Sequence, residues 1–390
     1  MSGTTLRVLV FLPCLTRGGA ERQGVLVARH LKERGHDVEV WGFPAPRGRS
    51  TLVQDLRDRG LRYEVMPAWP SLRWSDSRFG GILAPLVRSW RWPRGRRRLE
   101  ADTPRRSFDV LVPFTFWPSL AACLLQERLQ ASRCFWNHRG GYDAAGIVYD
   151  RFLTERILRG RPRFVANSQA GARFLRDTFR VRPDDVAVVA NAFEPDVPAP
   201  PMPAREGSRE LSLLHVANFY PEKDYETLLA GLRLLKLEGT ACRLHFCGEF
   251  LCERERSRFE RRVRELDVED RVAYHGAATR EEVRRLLASS DVGLLSSRSE
   301  GQPNSVMEYM HAGLPVVGTR IPGIEELLGA AGAPWLFDVG DAQGFARLVG
   351  RLREDPALRE EIGRTHRRRI LENFAADRVL PRWAELVEGA

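Results

Sequence analysis

Short apolar runs and helical patterns alternate along this chain twice over, and a proline-rich stretch separates the two series. Leu6–Leu12 (LRVLVFL) is nearly continuous in apolar residues, as a strand covered on both faces requires. A turn with Gly18 and Gly19 follows, then a helical pattern through Val25, Leu26, Ala28 and Leu31 that stops at Gly35, then a strand at Val38–Phe43. Strand, glycine-rich turn, helix and strand within about forty residues make a βαβ unit. Further strands are expected at Tyr63–Met66, Val110–Pro113, Cys134–Asn137, Phe164–Asn167 and Val186–Val189. Helices are expected between them, at Ser119–Leu129, Val148–Leu158 and Ala170–Phe179. Asn191 to Glu210 carries five prolines and reads as a linker. Beyond it the rhythm restarts, with strands at Leu211–Ala217, Cys242–Cys247, Val272–Tyr274, Val292–Leu295 and Val316–Val317. Their intervening helices span Glu222–Leu237, Glu253–Leu266 and Arg280–Ser289, and Pro356 onward is helical with a break around Asn373–Ala376. The pattern predicts an α/β chain of two doubly wound domains in tandem with a cleft between them. The boundaries are residues 1–195, a linker over 196–210, and residues 211–375, within the two to three domains that 390 residues imply.

In such sheets ligands sit outside the carboxyl ends of the strands, so the loops there are where chemistry is sought. Ser296 to Thr319 (SSRSEGQPNSVMEYMHAGLPVVGT) runs from a strand end through Glu300, Gly301 and Gln302 into a helix opening at Pro303–Asn304. Proline is tolerated in a first helical turn, and the N–H groups of such a turn, here at Asn304 and Ser305, have no acceptor within the helix and suit phosphate. Glu308 lies four residues beyond Asn304, on the same face and roughly 6 Å further along the axis. Two carboxylates thus flank an anion-binding helix end; the alternative is a plain strand–loop–helix unit with solvated glutamates. Lys223, in HVANFYPEKD, occupies the corresponding loop after the first strand of the second domain. It is either a phosphate-neutralising cation or an ordinary surface lysine. Lysine and amides suit a diphosphate, and a carboxylate suits vicinal hydroxyls. The combination describes a nucleotide-sugar site. Gly18, Gly19 and Gly24 do not make a GxGxxG fingerprint and no GK[ST] occurs, which argues against dinucleotide and P-loop sites.

Net charge is +10, which suggests an anionic partner, yet only Lys32, Lys223 and Lys236 among the 61 basic residues are lysines. Much of the arginine is therefore global composition. One segment stands out: between Pro70 and Arg106 ten arginines face only Asp76, Glu100 and Asp102, with Trp69, Trp74, Trp90 and Trp92 alongside. Arginine beside tryptophan suits an anionic membrane surface, or single-stranded nucleic acid, while an arginine-rich solvated loop explains it equally simply. The six cysteines show neither CxxC nor a Cys/His metal spacing, as in a reducing compartment. No apolar run approaches bilayer length. These features give a soluble cytoplasmic protein as the expectation.

The EGQPNSVMEYMHAGLPVVGT stretch resembles the signature of the retaining GT-B glycosyltransferases of glycosyltransferase family 4 (group 1). VANFYPEKDYETLL is similar to that family's phosphate-binding strand and helix, and TRGGAER to its glycine-rich first loop. The resemblance covers nearly the whole chain and implies two Rossmann-like domains, acceptor-binding first and donor-binding second. The final helix, residues 376–390, would pack back onto the first. It further implies that Glu300 faces the donor sugar, Glu308 holds the ribose, and Lys223 stabilises the departing diphosphate with the backbone around Gly301, Gln302, Pro303, Asn304 and Ser305. Gly18 and Gly19 would let the first loop close over diphosphate or acceptor. No metal and no cofactor are expected, since no DxD motif occurs and the donor is a co-substrate.

Two positions depart from the family pattern. Asn218 stands where many members have an arginine, so Arg298 or Arg17 is the compensating cation. Phe114–Trp117 lacks a histidine that many members carry there, leaving His138 as the active-site candidate or as an acceptor-orienting residue. The expected activity is transfer of a sugar from a nucleoside-diphosphate sugar to a lipid-linked or small-molecule acceptor, in envelope polysaccharide or glycolipid assembly. Attachment to the inner face of a membrane through residues 70–106 goes with the lipid-linked acceptor. The competing readings are a catalytically silent GT-B module and, more remotely, a nucleic-acid-binding protein.

Overall fold

The computed structural model describes residues 4–16, 18–44, 52–67, 96–140, 151–195, 210–250 and 252–389. Its contacts divide the chain into two units: Met1–Ala192 together with Asp377–Ala390, and Phe193–Ala376.

In the first unit the described strands are β1 (Arg7–Leu12), β2 (Asp37–Gly42), β3 (Arg62–Val65), β4 (Val110–Pro113), β5 (Arg133–His138), β6 (Arg163–Ala166) and β7 (Val186–Val188). They form one sheet in the order β3-β2-β1-β4-β5-β6-β7, with every pairing parallel. Between them run α1 (Gly19–Glu33), α2 (Val53–Asp58), α3 (Phe116–Leu125), α4 (Arg151–Arg159) and α5 (Gln169–Phe179). β1 is buried from Val8 to Leu12, so its continuous apolar run reflects helices on both faces. The second unit repeats the theme with β8 (Leu211–Val216), β9 (Cys242–Cys247), β10 (Val272–Tyr274), β11 (Val292–Leu295), β12 (Val316–Thr319) and β13 (Leu336–Phe337), in the order β10-β9-β8-β11-β12-β13. All of these pairings are parallel too. Its helices are α6 (Tyr225–Leu237), α7 (Glu253–Glu265), α8 (Arg280–Ser289), α9 (Asn304–His311), α10 (Pro322–Gly332), α11 (Ala342–Glu354) and α12 (Pro356–Asn373). The last helix, α13 (Ala376–Glu388), contributes Trp383 to the first unit, where it packs edge-on or tilted against Phe114 and Phe135.

In both sheets the strand order turns back beside the first strand, so the carboxyl ends of β1 and β4, and of β8 and β11, flank a switch point. The alternation in the sequence therefore encoded the architecture. Its details differ in three places. The helix expected at Ser119 starts three residues earlier, because Thr115 turns the chain with φ 73° and the Ser119 hydroxyl bonds back to its carbonyl. The helix expected from Glu222 begins only at Tyr225, since Glu222–Asp224 pair with another loop. α2, β13, α10 and α11 were not anticipated: Gly323, Gly329 and Gly332 weaken the helical signal of α10, and Gly329 sits at φ 65°.

Most of the arginine–tryptophan segment lies outside the described residues. Of its described part, Arg96 pairs with Glu100 and Arg98 with Asp102, both one helical turn apart, so those charges are partly matched locally. Among the described residues no helix is long and apolar enough to cross a membrane.

Candidate active site

The loops after β8 and β11 are joined by a short piece of antiparallel backbone. Lys223 and Ser297 form a bridge, Asp224 N–H donates to the Ser296 carbonyl at 3.0 Å, and Arg298 N–H donates to the Glu222 carbonyl at 2.8 Å. This pairing fixes two residues that lie 77 positions apart in the chain: Lys223 Nζ donates to Glu300 Oε1. Both side chains are mostly shielded, at 13% and 15% exposure. The Ser297 hydroxyl donates to the same oxygen at 2.7 Å. Glu300 Oε2 receives no hydrogen bond from the described residues, so one carboxylate oxygen is held and the other is an available acceptor.

Ser297 is itself fully buried and held by Thr319 from β12. Its N–H donates to Thr319 Oγ1 at 3.0 Å, and the threonine hydroxyl donates back to the Ser297 carbonyl at 2.7 Å. Gly323, in the first turn of α10, lies directly against the next stretch. A Cβ there would stand 2.0 Å from the Gly301 carbonyl oxygen and 2.5 Å from that of Glu300. Asp224, 3% exposed, accepts from the Thr227 hydroxyl at 2.6 Å and has Arg298 Nη2 at 3.9 Å. Arg298 keeps 62% of its side-chain exposure, so its charge is still available to an anion.

Pro303 caps α9 from just outside it, with φ −72° and ψ 122°, so the first helical turn begins at Asn304 rather than at the proline. Such a turn presents N–H groups with no acceptor inside the helix and the positive end of its dipole. Gly301, Gln302 and Pro303 are buried; Asn304, Ser305 and Glu308 are half-buried. The helix is fixed to the sheet by Tyr309, whose fully buried hydroxyl accepts from Val216 N–H at 2.6 Å at the end of β8. Asn218, two residues further on, spends its side-chain oxygen on Glu249 N–H at 2.9 Å, leaving its NH₂ group as the part able to face a ligand. The second unit thus brings together Lys223, Glu300, the α9 start and Glu308 at the carboxyl ends of its strands.

The remaining expected residues belong to the first unit. His138 ends β5, and its ring stacks on Phe174 with centroids 4.7 Å apart. Gly18 precedes α1 and Gly19 begins it. The space that Gly18 leaves is filled by Glu21: an added Cβ would lie 2.1 Å from Glu21 Oε2. Glu21 is 7% exposed and accepts the Cys14 thiol at 3.1 Å, and burial beside this carboxylate pushes the Cys14 pKa up to about 11. An anion approaching Gly18 and Gly19 therefore meets a carboxylate already placed at the helix start. Arg17 lies outside the described residues. Ser297, Thr319, Asp224 and Gly323 were not singled out from the sequence, where nothing in their spacing distinguishes them from strand-end and turn residues.

Two family models divide the chain between them. The one described as Glycosyltransferase Family 4 matches residues 17–197, and the one described as Glycosyl transferases group 1 matches residues 203–369. The chain belongs to the group 1 glycosyltransferases. Among relatives of this glycosyltransferase, the N-acetyl-alpha-D-glucosaminyl L-malate synthase of Bacillus anthracis is 29% identical over 383 residues, covering 94% of this chain and 92% of that protein. The lipopolysaccharide core biosynthesis glycosyltransferase LpsD of Rhizobium meliloti is 28% identical over 372 residues, 94% of each chain. The solved structure of Anabaena Alr3699/HepE in complex with UDP and glucose superposes with a TM-score of 0.76 over 98% of this chain and 100% of that one. At 16% identity that likeness speaks for the fold, which in this glycosyltransferase is GT-B.

Proposed function

We propose that this glycosyltransferase moves a sugar, with retention of anomeric configuration, from a nucleoside-diphosphate sugar to an acceptor in envelope polysaccharide or glycolipid assembly. One observation carries the reading: Lys223 and Glu300 are locked together beside the first turn of α9, so cation, carboxylate and helix N–H groups converge on one strand-end surface. The diphosphate is assigned to Lys223, the N–H groups of Asn304 and Ser305, and the Asn218 amide, which between them neutralise charge as it leaves. Glu300 Oε2 is assigned to the sugar hydroxyls and Glu308 to the ribose. In a front-face displacement the bond from the anomeric carbon to the diphosphate oxygen breaks as the acceptor oxygen bonds on the same face. The acceptor proton passes to the departing phosphate. His138 is assigned to the acceptor side, and leaving-group stabilisation by side chains and helix dipole needs no metal. The similarity to LpsD supports an envelope acceptor, and the folding likeness to HepE with UDP supports a nucleotide-sugar donor.

A second reading, a small soluble acceptor, draws on the malate synthase, which is similar over 94% of this chain. Liposome sedimentation separates the two. The envelope reading expects binding to anionic vesicles that weakens when Arg94, Arg96, Arg97 and Arg98 are neutralised; equal binding to neutral vesicles removes the membrane component.

The central test is a thermal-shift panel of UDP-, GDP-, ADP- and dTDP-sugars, because a donor present at a hundred times its Kd stabilises the folded state by about 2.7 kcal/mol. Lys223→Ala should lose most of that shift. Glu300→Ala should keep nucleotide binding while turnover falls about tenfold to a hundredfold. A panel with no shift, or wild-type turnover in both variants, would overturn the assignment. An inverted anomeric centre in the product, read by NMR, would overturn the retaining mechanism alone.

A further inference from the structure

At the carboxyl end of β5, on the ligand edge of the first unit's sheet, Arg139 carries a charge that no carboxylate among the described residues answers. Its Nε donates to Asn137 Oδ1 at 3.0 Å and its Nη1 to Asn191 Oδ1 at 2.7 Å. Its guanidinium carbon lies 4.9 Å from the centre of the Phe114 ring and 5.3 Å from that of Trp383. Amide oxygens and ring faces are neutral, so the net charge of the cluster stays at that of the arginine. Burial pulls the Arg139 pKa down to about 9, which still leaves it protonated at neutral pH.

The hydrogen-bond inventory is unbalanced as well. Arg139 Nη2 is shielded from solvent and has no partner among the described residues, and neither has Nδ2 of Asn137, a residue that is 0% exposed. Asn167 Oδ1 is an unpartnered acceptor in the same cluster, with Asn167 Nδ2 donating to Asn191 Oδ1 at 3.3 Å. Two orphaned donors against one orphaned acceptor, around an unanswered cation, is a surplus of donors and of positive charge. Buried polar groups are nearly always satisfied, and a specific exception calls for a missing partner. Arg139 keeps partial exposure, so the cluster is not sealed in the core.

We infer that Arg139 and Asn137 form an anion subsite whose occupant is a carboxylate or phosphate group of the acceptor. This rests on the assignment of the acceptor to the first unit made above. It goes beyond that assignment by naming the acceptor's chemical class: a molecule with an acidic group close to the hydroxyl that receives the sugar. A group that only accepts hydrogen bonds satisfies Nη2 and Nδ2 together and supplies the counter-charge.

The probes are L-malate and inorganic phosphate, each compared with potassium chloride at matched ionic strength, with the melting temperature of the intact protein as readout. Wild type should be stabilised by at least one of the two anions beyond the chloride control, by several degrees at tens of millimolar. Asn137→Asp keeps the shape of the side chain and places an internal carboxylate beside Arg139, so it should abolish the anion effect without unfolding the protein. Arg139→Met should abolish it too. Arg139→Met also strips the donors from Asn137 Oδ1 and Asn191 Oδ1, so its anion response is read against its own anion-free melting temperature. Equal stabilisation of wild type and Asn137→Asp, or none beyond chloride in wild type, overturns the subsite. Donor-induced shifts in the same samples report separately on the second unit, so loss of the anion effect alone does not refute the nucleotide-sugar assignment.

Discussion

Gly323→Ala probes whether the backbone behind Glu300 sets the position of the carboxylate proposed to face the donor sugar. The residue sits in the first turn of α10 with ordinary helical geometry, so alanine is locally favourable there and any loss must come from contact. The new Cβ would stand 2.0 Å from the Gly301 carbonyl oxygen and 2.5 Å from that of Glu300, where ordinary contact begins at 3.4 Å. Backbone on one side or the other must give by more than an ångström. Overpacking of this kind costs about 1–3 kcal/mol. A misplacement of roughly 1 Å at a reacting group costs on the order of a hundredfold in rate. Gly363→Ala is the matched control, since its Cβ would lie 2.0 Å from the Gly313 carbonyl oxygen in the same unit, against a different loop. Gly350→Ala meets nothing within 4 Å and should stabilise its helix by about 0.5–1 kcal/mol. Urea unfolding gives the stability of each variant, and turnover at saturating donor is then expressed per folded molecule. Gly323→Ala and Gly363→Ala should lose similar stability, but only the first should lose turnover. Equal turnover in the two, whether preserved or lost, would refute a role for the Gly323 contact in placing Glu300.

Two further outcomes follow from buried side chains. His366 is 0% exposed with Nδ1 3.3 Å from the Leu314 carbonyl oxygen, and burial holds its pKa down to about 4. Below the ordinary value near 6.5 the unfolded chain takes up a proton that the native one refuses, so stability present above pH 6.5 is lost as pH falls toward 4, by roughly 3 kcal/mol in full. His311 and His215, held down to about 4 and about 3 by burial, act in the same direction. Urea midpoints of His366→Leu should fall less steeply over that window than those of wild type, and identical slopes would exclude His366 as a contributor. Trp383, 1% exposed between Phe114 and Phe135, should cost about 3–5 kcal/mol on truncation to alanine, read as loss of the first unit's unfolding transition to lower urea. A change below about 1 kcal/mol would mean that α13 contributes little to that unit.

The architecture was legible because period and length settle it: apolar runs of two to seven residues between helical patterns leave a parallel α/β arrangement as the consistent solution. Lys223 and Glu300 were legible as loop residues at strand ends. Their direct ion pair was not, because it depends on two loops pairing backbone to backbone across 77 residues of sequence. Ser297 and Thr319 were invisible for a related reason: a serine and a threonine at strand ends are common, and only the register of β11 with β12 makes one hold the other. The Glu21 carboxylate that stands beside Gly18 was not legible, because it depends on a side-chain rotamer that spacing cannot predict. Arg139 was lost in an arginine-rich composition until its neighbours were known to be neutral.

The seating of α13 in the first unit bears on how the chain comes off the ribosome. That unit is discontinuous: Trp383 belongs beside Phe114 and Phe135, yet the whole of Phe193–Ala376 is made before it appears. At ~5–20 residues per second, those roughly 180 residues take on the order of ten to forty seconds. Throughout that interval the nascent first unit exposes the apolar face that Trp383 will cover. The second unit is a single unbroken stretch and can close on its own core first. The first unit is thereby completed after the second.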